Sequence, residues 1–311
     1  MARVNWIRTS TFYGLVAAFL LAAILLYNLS PVRVEVDRRQ VHTKGYNSRL
    51  DNSQVNVPEI MDDYGTGPLE NFRHVAHAFN LADLDVDRMT AEELLLTIHT
   101  YPDNIDVVCR RKLRMGKIGD GGWEVCDDPD VRPTMPCVVY SYGIHYDFSF
   151  DDDVAKLYGC HVYSFDPSMD KVEDRYNRSE NVHFYKIGLD GVTHVTPKNW
   201  SLYTHGDIRK MLGHQNTPID IIKMDIETFE WTSVPEMLAS GQLQNVRQFL
   251  VEFHVGAATR EYLLPRVRLM QDLERAGLRR FYVHKNFYCL KRIEGYPIMR
   301  TRCYEVHYMR R

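Results

Sequence analysis

Short apolar runs alternate with amphipathic segments along the second half of the chain, and polar or glycine-containing stretches bound each run. This pattern predicts buried strands separated by helices. The predicted strands are residues 138–142, 161–165, 183–187, 219–224 and 247–253, and the predicted helices are 151–158, 168–176, 206–212 and 234–239. Strands and helices that alternate in this way indicate βαβ units and a parallel sheet with both faces covered.

The pattern changes in the last fifty or so residues. A longer helix is predicted there, with Pro265 in its first turn and Gly277 just after its end. Segments 281–284 and 304–308 then predict an antiparallel pair of strands. We therefore expect an α/β fold: a Rossmann-like, doubly wound, mostly parallel sheet with an antiparallel edge.

The N-terminal segment contains a long uncharged stretch. Residues 12–29 are largely apolar and, at about 1.5 Å per residue, long enough to cross a bilayer core. After a short tail at 1–11, we expect this stretch to be a transmembrane signal anchor, with a cleaved signal peptide as the alternative because arginines precede it. Residues 30–85 are polar and rich in turn-forming residues, which predicts a stem, and the folded domain is expected at 86–311.

Composition limits the classes of function. The chain is 45% apolar and 25% charged, with a net charge of -3, which is typical of a globular enzyme and disfavours a nucleic-acid binder. All six cysteines follow the predicted anchor, and glycosylation sequons begin at Asn177 and Asn199. These features favour a type II orientation in the secretory lumen, although basic residues flank the anchor on both sides and free thiols in a cytosolic domain are the alternative.

One disulfide is predicted from the position of its cysteines. Cys109 and Cys126 flank the glycine-rich segment 119–122, and a bridge between them would close a loop of about seventeen residues.

Candidate chemistry lies where the predicted strands end, because ligands bind outside the carboxyl ends of strands in open parallel sheets. The first strand ends in Ser141, Tyr142 and Gly143, and a glycine there lets the backbone approach a ligand closely. The second strand ends at Asp166, where a carboxylate can accept hydrogen bonds from ribose hydroxyls. The alternative role of Asp166 is to cap the helix predicted after it.

The densest group of charges follows the fourth strand, in the sequence IDIIKMDIETFE. Lys223, Asp225 and Glu227 lie at or near the strand's exit, and the next strand ends with Glu252 and His254. Charged groups at the end of a buried strand need a partner or a chemical role. Simple pairing of the lysine with a carboxylate remains an alternative.

The motifs in this order resemble the FkbM-type methyltransferases, a class I S-adenosylmethionine fold, with IDIIKMDIETFEW in place of their D-x-x-K-x-D-x-E-G-x-E. The segments KLRMGKIGDGGWEVCDDP, VVYSYGIHYDFSFDDDVA and VYSFDPSM are more closely similar to the methyltransferase-like protein 24 group. The resemblance covers roughly residues 108–253.

This resemblance implies an S-adenosylmethionine-dependent methyltransferase whose methyl acceptor no motif specifies. It implies that Asp166 binds the cofactor ribose and that Asp225 and Glu227 line the methyl-transfer cleft. His254 is the candidate general base for a hydroxyl acceptor, and a buried structural histidine is its alternative role. The remaining residues implied to contact the cofactor or to cover the cleft are Ser141, Tyr142, Gly143, Gly121 and Gly122.

Two departures from the FkbM pattern leave other functions open. Ser141 stands where the pattern has an acid, and Thr228-Phe229 replaces Gly-Ala. Loss of the acid allows a non-catalytic scaffold of the same fold. The segment 151–153, Asp-Asp-Asp, also matches the metal-binding D-x-D motif of Golgi-type glycosyltransferases, although acidic residues are also favourable at a helix N-terminus. No spacing of metal ligands is evident in the sequence, so no metal is expected.

Overall fold

The computed structural model describes residues 81–296 and 298–311. The predicted tail, the predicted anchor at 12–29 and most of the predicted stem lie outside the described residues. Within the part that is described, no helix combines the length and apolarity needed to span a bilayer. Leu81, from the end of the predicted stem, is buried, and its carbonyl accepts a hydrogen bond from the Gln271 side chain at 2.8 Å.

The described residues form five α-helices and fifteen strands. The helices are α1 (Ala91–Thr100), α2 (Ser149–Tyr158), α3 (His205–Met211), α4 (Glu230–Ala239) and α5 (Arg260–Arg275). The strands are β1 (Lys112–Met115), β2 (Trp123–Cys126), β3 (Val138–Tyr142), β4 (His161–Phe165), β5 (Arg175–Asn177), β6 (Val182–Tyr185), β7 (Gly188–Leu189), β8 (His194–Val195), β9 (Ser201–Tyr203), β10 (Ile221–Met224), β11 (Gln248–His254), β12 (Leu278–Lys285), β13 (Leu290–Lys291), β14 (Arg300–Thr301) and β15 (Cys303–Arg310).

Eight strands build the main sheet, in the order β12-β15-β11-β10-β3-β4-β6-β5. The five central strands β11, β10, β3, β4 and β6 are parallel, while β5 and β15 run in the opposite direction. The mixed, mostly parallel sheet agrees with the α/β prediction. The predicted antiparallel pair is present as β12 and β15, but β15 lies between β11 and β12 instead of at the edge.

Both faces of this sheet are covered, as the continuous apolar runs predict. Along β10, Ile222 and Met224 pack into one apolar cluster with helices α1, α3, α4 and α5, whereas Ile221 packs into another with α2. The antiparallel β1–β2 hairpin also covers this second face, where the Trp123 ring stacks on His307 with ring centroids 5.4 Å apart. The sequence analysis did not predict this hairpin.

The predicted helix at 168–176 is wrong. After β4 the chain makes turns and then enters the short edge strand β5, which pairs with β6. Backbone pairing at the open edge of the sheet outweighs a weak helical pattern here. The position of Pro265 is also corrected, because α5 begins at Arg260, one turn earlier than predicted, with Thr259 as its N-cap.

Three disulfides join all six cysteines in pairs. The predicted Cys109–Cys126 bridge is confirmed, with a Cα–Cα distance of 5.9 Å. It ties the segment before β1 to the end of β2 and so closes the hairpin that covers the second face. The other two bridges are Cys137–Cys160 and Cys289–Cys303.

Replacing Cys109 and Cys126 together by serine should lower the free energy of unfolding by about 3 kcal/mol, because the bridge closes a loop of 17 residues. Urea unfolding under oxidising conditions measures this change. The Cys289–Cys303 bridge closes a loop of 14 residues and provides a matched control, with a similar expected loss. No loss for the Cys109/Cys126 pair would contradict the prediction.

Candidate functional site

A cleft of about 370 Å³ opens at the carboxyl ends of the parallel strands, where the strand order reverses between β3 and β10. Six of the residues selected from the sequence line it: Gly121, Tyr142, Gly143, Asp166, Asp225 and Glu227. The other three, Ser141, Gly122 and His254, lie behind or beside the lining. The structure therefore brings the sequence candidates together at one site.

Gly143 makes the turn that starts this cleft. Its φ is +77°, and a Cβ built on it would lie 1.6 Å from the carbonyl oxygen of Asp225. The backbones leaving β3 and β10 are therefore almost in contact, and only glycine fits between them. The Gly143 N–H donates to the Phe165 carbonyl at 2.9 Å, which also fixes the turn to β4.

The Asp166 carboxylate accepts four hydrogen bonds from its own chain. Oδ2 accepts the backbone N–H groups of Ile144 at 2.9 Å and His145 at 2.8 Å, and Oδ1 accepts the backbone N–H and the hydroxyl of Ser168 at 2.7 and 2.6 Å. His145 and Tyr146 both have left-handed backbones, with φ of 41° and 65°. Asp166 thus holds an unusual turn in place, and its lone pairs are already used.

The glycine-rich loop before β2 borders the cleft, as expected. Gly121 lines the cleft. Gly122 does not, but a Cβ on it would lie 1.8 Å from the Lys117 carbonyl oxygen, so the tight loop needs glycine at this position. Lys117 forms an ion pair with Asp147 at 2.9 Å. This pair ties the loop to the turn that follows β3.

Asp151 is a cleft residue outside the set selected from the sequence for the cofactor site. It is 1% exposed, and its Oδ1 accepts the Ser164 hydroxyl at 2.5 Å. Burial raises the pKa of Asp151 to about 6, against the opposing effects of the Ser164 hydrogen bond and the Lys223 charge. Ser141, at the position where the FkbM pattern has an acid, is fully buried. The cleft therefore has a buried carboxylate although the first strand lacks one.

The three acids at 151–153 point to different partners. Asp152 pairs with Arg178 at 2.8 Å, and Asp153 accepts the Gly116 N–H at 2.8 Å, while Asp151 faces the cleft. Two carboxylates of a metal-binding D-x-D would converge on one point. This arrangement does not support the glycosyltransferase alternative.

Lys223 is buried beneath the turn at Gly143. Its ammonium donates to the carbonyl oxygens of Tyr142 at 3.2 Å and Gly143 at 2.6 Å, and lies 5.4 Å from the centre of the Trp123 ring. The lysine therefore fixes the backbone of the cleft instead of forming a hydrogen-bonded pair with a neighbouring carboxylate.

His254 lies beside the cleft within a group of carboxylates. Its Nδ1 is 3.3 Å from Glu230 Oε1, which also accepts the His254 backbone N–H at 2.8 Å. Its Nε2 is 3.9 Å from Asp225 Oδ1, 3.7 Å from Glu227 Oε2 and 3.8 Å from Glu252 Oε2. We call these five residues the acidic cluster.

The charges of the acidic cluster govern its protonation. Burial lowers the pKa of His254, but the Glu230 hydrogen bond and the charges of Glu230, Glu252 and Asp225 outweigh burial and raise it to about 9. Burial and the Asp225 charge raise the pKa of Glu252 to about 9 as well. An imidazole with this pKa is protonated at pH 7, so His254 of the free protein can act as a base only in alkaline solution.

The backbone is also strained next to this cluster. Glu227 and Thr228 have φ of 54° and 81°, which side chains with a Cβ rarely adopt. Thr228 is the position where the FkbM pattern has glycine. The chain therefore makes a left-handed turn here without glycine, at an energetic cost, and Glu227 lines the cleft at that turn.

Comparison with known proteins identifies the family. The family described as "Methyltransferase domain" matches residues 62–306. "Probable methyltransferase-like protein 24" of Rattus norvegicus is 25% identical over 209 residues, which cover 60% of this chain and 56% of the rat protein. Its Homo sapiens counterpart is 24% identical over 183 residues, which cover 53% and 48%. The chain spans about half the length of these curated relatives.

Among solved structures, a precorrin-6y C5,15-methyltransferase from Geobacter metallireducens GS-15 aligns with 58% of this chain and 84% of its own, at 10% identity and a TM-score of 0.27. The resemblance to the methyltransferase-like protein 24 group is confirmed by the family match and by both curated relatives. The chain belongs to the methyltransferase domain family.

Proposed function

We propose that this protein transfers a methyl group from S-adenosylmethionine to an acceptor bound in the cleft. The observation that carries the proposal is the site itself: a glycine turn at the switch point of a parallel sheet, in a cleft lined by both carboxylates and apolar side chains. Family membership supports the same activity.

The lining residues fit this cofactor. Asp151, Asp147 and Asp225 supply negative charge for a ligand that carries an ammonium and a sulfonium group. Phe165 and Leu202 contribute an apolar wall suited to a purine ring. When bound, S-adenosylmethionine supplies an activated methyl group, and the protein's main task is to hold the acceptor in line with it.

Asp225 and Glu227 lie on the acceptor side of this arrangement. Both line the cleft and belong to the acidic cluster, so they can contact an acceptor bound there. We assign Asp225 and Glu227 to positioning of the acceptor. His254 lies at the same rim of the cleft.

Calorimetric titration of the purified full-length protein tests the proposal. We expect S-adenosylmethionine and S-adenosylhomocysteine to bind with one site each, and a nucleotide sugar with manganese to give no heat beyond that of manganese alone. If the folded, oxidised protein binds neither S-adenosylmethionine nor S-adenosylhomocysteine, a non-catalytic scaffold becomes the best interpretation. Saturable binding of the nucleotide sugar would instead favour the glycosyltransferase.

We further propose that the protein is a single-pass type II membrane protein, anchored through 12–29, with its domain in the secretory lumen. Asn177 and Asn199, the first residues of the two sequons, are exposed. At least one of them should therefore carry a glycan. Treatment with an N-glycosidase should increase electrophoretic mobility, and Asn177→Gln with Asn199→Gln should abolish that shift. An unchanged mobility, together with protease access from the cytosol, would overturn the assignment.

A further inference from the structure

We propose that Asp225, Glu227 and His254 bind a divalent metal ion at the acceptor side of the cleft, and that this ion binds an oxygen atom of the methyl acceptor. The role of the ion in acceptor binding rests on the proposed function. The metal site itself rests only on the geometry of the acidic cluster.

The spacing of the ligand atoms suits one ion between them. One oxygen from each carboxylate and Nε2 of His254 all lie within 4.8 Å of one another. Nε2 is 3.9 Å from Asp225 Oδ1 and 3.7 Å from Glu227 Oε2, too far for hydrogen bonds. Atoms that bind a common metal at about 2.1 Å lie about 3 to 4 Å apart, so small shifts would complete the coordination.

A buried carboxylate aimed into the same space provides an independent observation. Glu252 is 3% exposed, and its Oε1 accepts a hydrogen bond from the Asn286 amide at 3.2 Å. Its Oε2 lies 3.8 Å from His254 Nε2, and the neighbouring Asp225 carboxylate acts on it electrostatically. Two carboxylates that approach each other in a buried site repel, and a cation between them would offset that repulsion.

Charge balance points the same way. Asp225, Glu227 and Glu230 each pair with His254, and within 81–296 and 298–311 none of them forms an ion pair with a lysine or arginine. Three carboxylates therefore share one imidazole. A divalent ion would supply the positive charge that the neighbouring side chains do not.

Glu230 prepares the histidine for this role. A carboxylate that accepts a hydrogen bond from Nδ1–H fixes the ring and leaves the Nε2 lone pair available to a metal, as at many histidine metal sites. Glu230 is itself fully buried and is held by the His254 backbone N–H. If Nε2 binds the ion, its lone pair cannot accept a proton, so His254 is no longer the candidate general base.

The open side of the site faces the cleft, because both carboxylate ligands line it. Three protein ligands leave coordination positions for a substrate. A hydroxyl oxygen bound there would lose its proton to solvent more readily. That oxygen then forms the new bond to the methyl carbon, while the sulfur–methyl bond breaks and its electron pair stays on sulfur as a neutral thioether. The predicted acceptor class is an oxygen nucleophile that binds a divalent ion.

The test is Mn²⁺ binding to metal-stripped full-length protein, followed by calorimetry and by the loss of the free Mn²⁺ paramagnetic signal. We expect one site, weakened at least roughly tenfold by Glu227→Gln. Glu227 has an 86% exposed side chain, so this variant should remain folded. Glu261→Gln, an exposed acid at the start of α5, is the matched control and should bind Mn²⁺ as the wild type does.

Equal Mn²⁺ affinity in wild type and Glu227→Gln, or no binding by the wild type, would overturn the inference. If the protein bound S-adenosylhomocysteine but no Mn²⁺, the metal site would be overturned and the proposed function would stand. A Mn²⁺ site without nucleoside binding would leave the metal assignment in place and remove the proposed function.

Discussion

Gly143→Ala should abolish cofactor binding and destabilise the domain by about 3 to 5 kcal/mol. Two effects add. Alanine at a φ of +77° is strained by roughly 1 kcal/mol, and its Cβ would lie 1.6 Å from the Asp225 carbonyl oxygen. The clash is with backbone, so β3 and β10 must separate at their exits. That separation would displace the Gly143 carbonyl that Lys223 holds.

Gly213→Ala separates the two effects. Gly213 has a similar φ of +73°, but a Cβ there would meet nothing within 4 Å. This control should lose only the roughly 1 kcal/mol of backbone strain and keep its affinity for S-adenosylhomocysteine. Urea unfolding and calorimetry measure both quantities. Equal losses of stability in the two variants would show that close approach of the strand exits is unimportant.

Asp166→Ala is expected to damage the fold as well as the site. From the sequence, Asp166 is expected to bind ribose, so its removal should lower the affinity for the cofactor and leave the stability of the fold unchanged. In the structure its carboxylate accepts three backbone N–H groups and a hydroxyl, and losing a buried acceptor costs about 1 to 3 kcal/mol per unpaired group. We therefore expect a loss of about 3 to 5 kcal/mol in unfolding free energy.

Thermal and urea unfolding measure this loss, with the exposed acid Asp170→Ala as the control, for which no change beyond about 0.5 kcal/mol is expected. Cofactor affinity should fall in parallel, because the left-handed turn at His145 and Tyr146 borders the cleft. A stable Asp166→Ala variant that has lost only its cofactor affinity would restore direct ribose binding as the main role.

The parallel centre of the sheet could be predicted from sequence, because each of its strands lies in a mostly apolar run bounded by polar or glycine-containing segments. The runs at 138–142 and 161–165 match β3 and β4 in full. Neighbouring strand exits then converge by topology alone, which is why six of the selected residues meet in one cleft.

The β1–β2 hairpin could not be predicted in this way. Its strands are four residues each, and charged residues interrupt both of them, Lys112 and Arg114 in β1 and Glu124 in β2, so neither strand lies in a mostly apolar run. The hairpin is held by long-range contacts that no local pattern encodes. The Gln248 side chain, for example, accepts the Cys126 N–H and donates to the Cys126 carbonyl, both at 2.8 Å.

The same limit applies to the site. Asp151 lies in a run of three acids, and only packing distinguishes the one that faces the cleft from the two that face other partners. The approach of Glu230 to His254 likewise depends on how α4 lies against β11. Residue types and strand exits predict which side chains gather, whereas their pairing depends on tertiary contacts.

The placement of β15 affects how the nascent chain can fold. β11 and β12 are synthesised before β15, yet β15 lies between them and pairs with both. Until residues 303–310 are made, two strands therefore expose unpaired edges that can associate with other chains. β12 can join the main sheet only through β15, because β15 is the strand with which it pairs. The sheet beyond β11 is therefore completed only once residues 303–310 have been made.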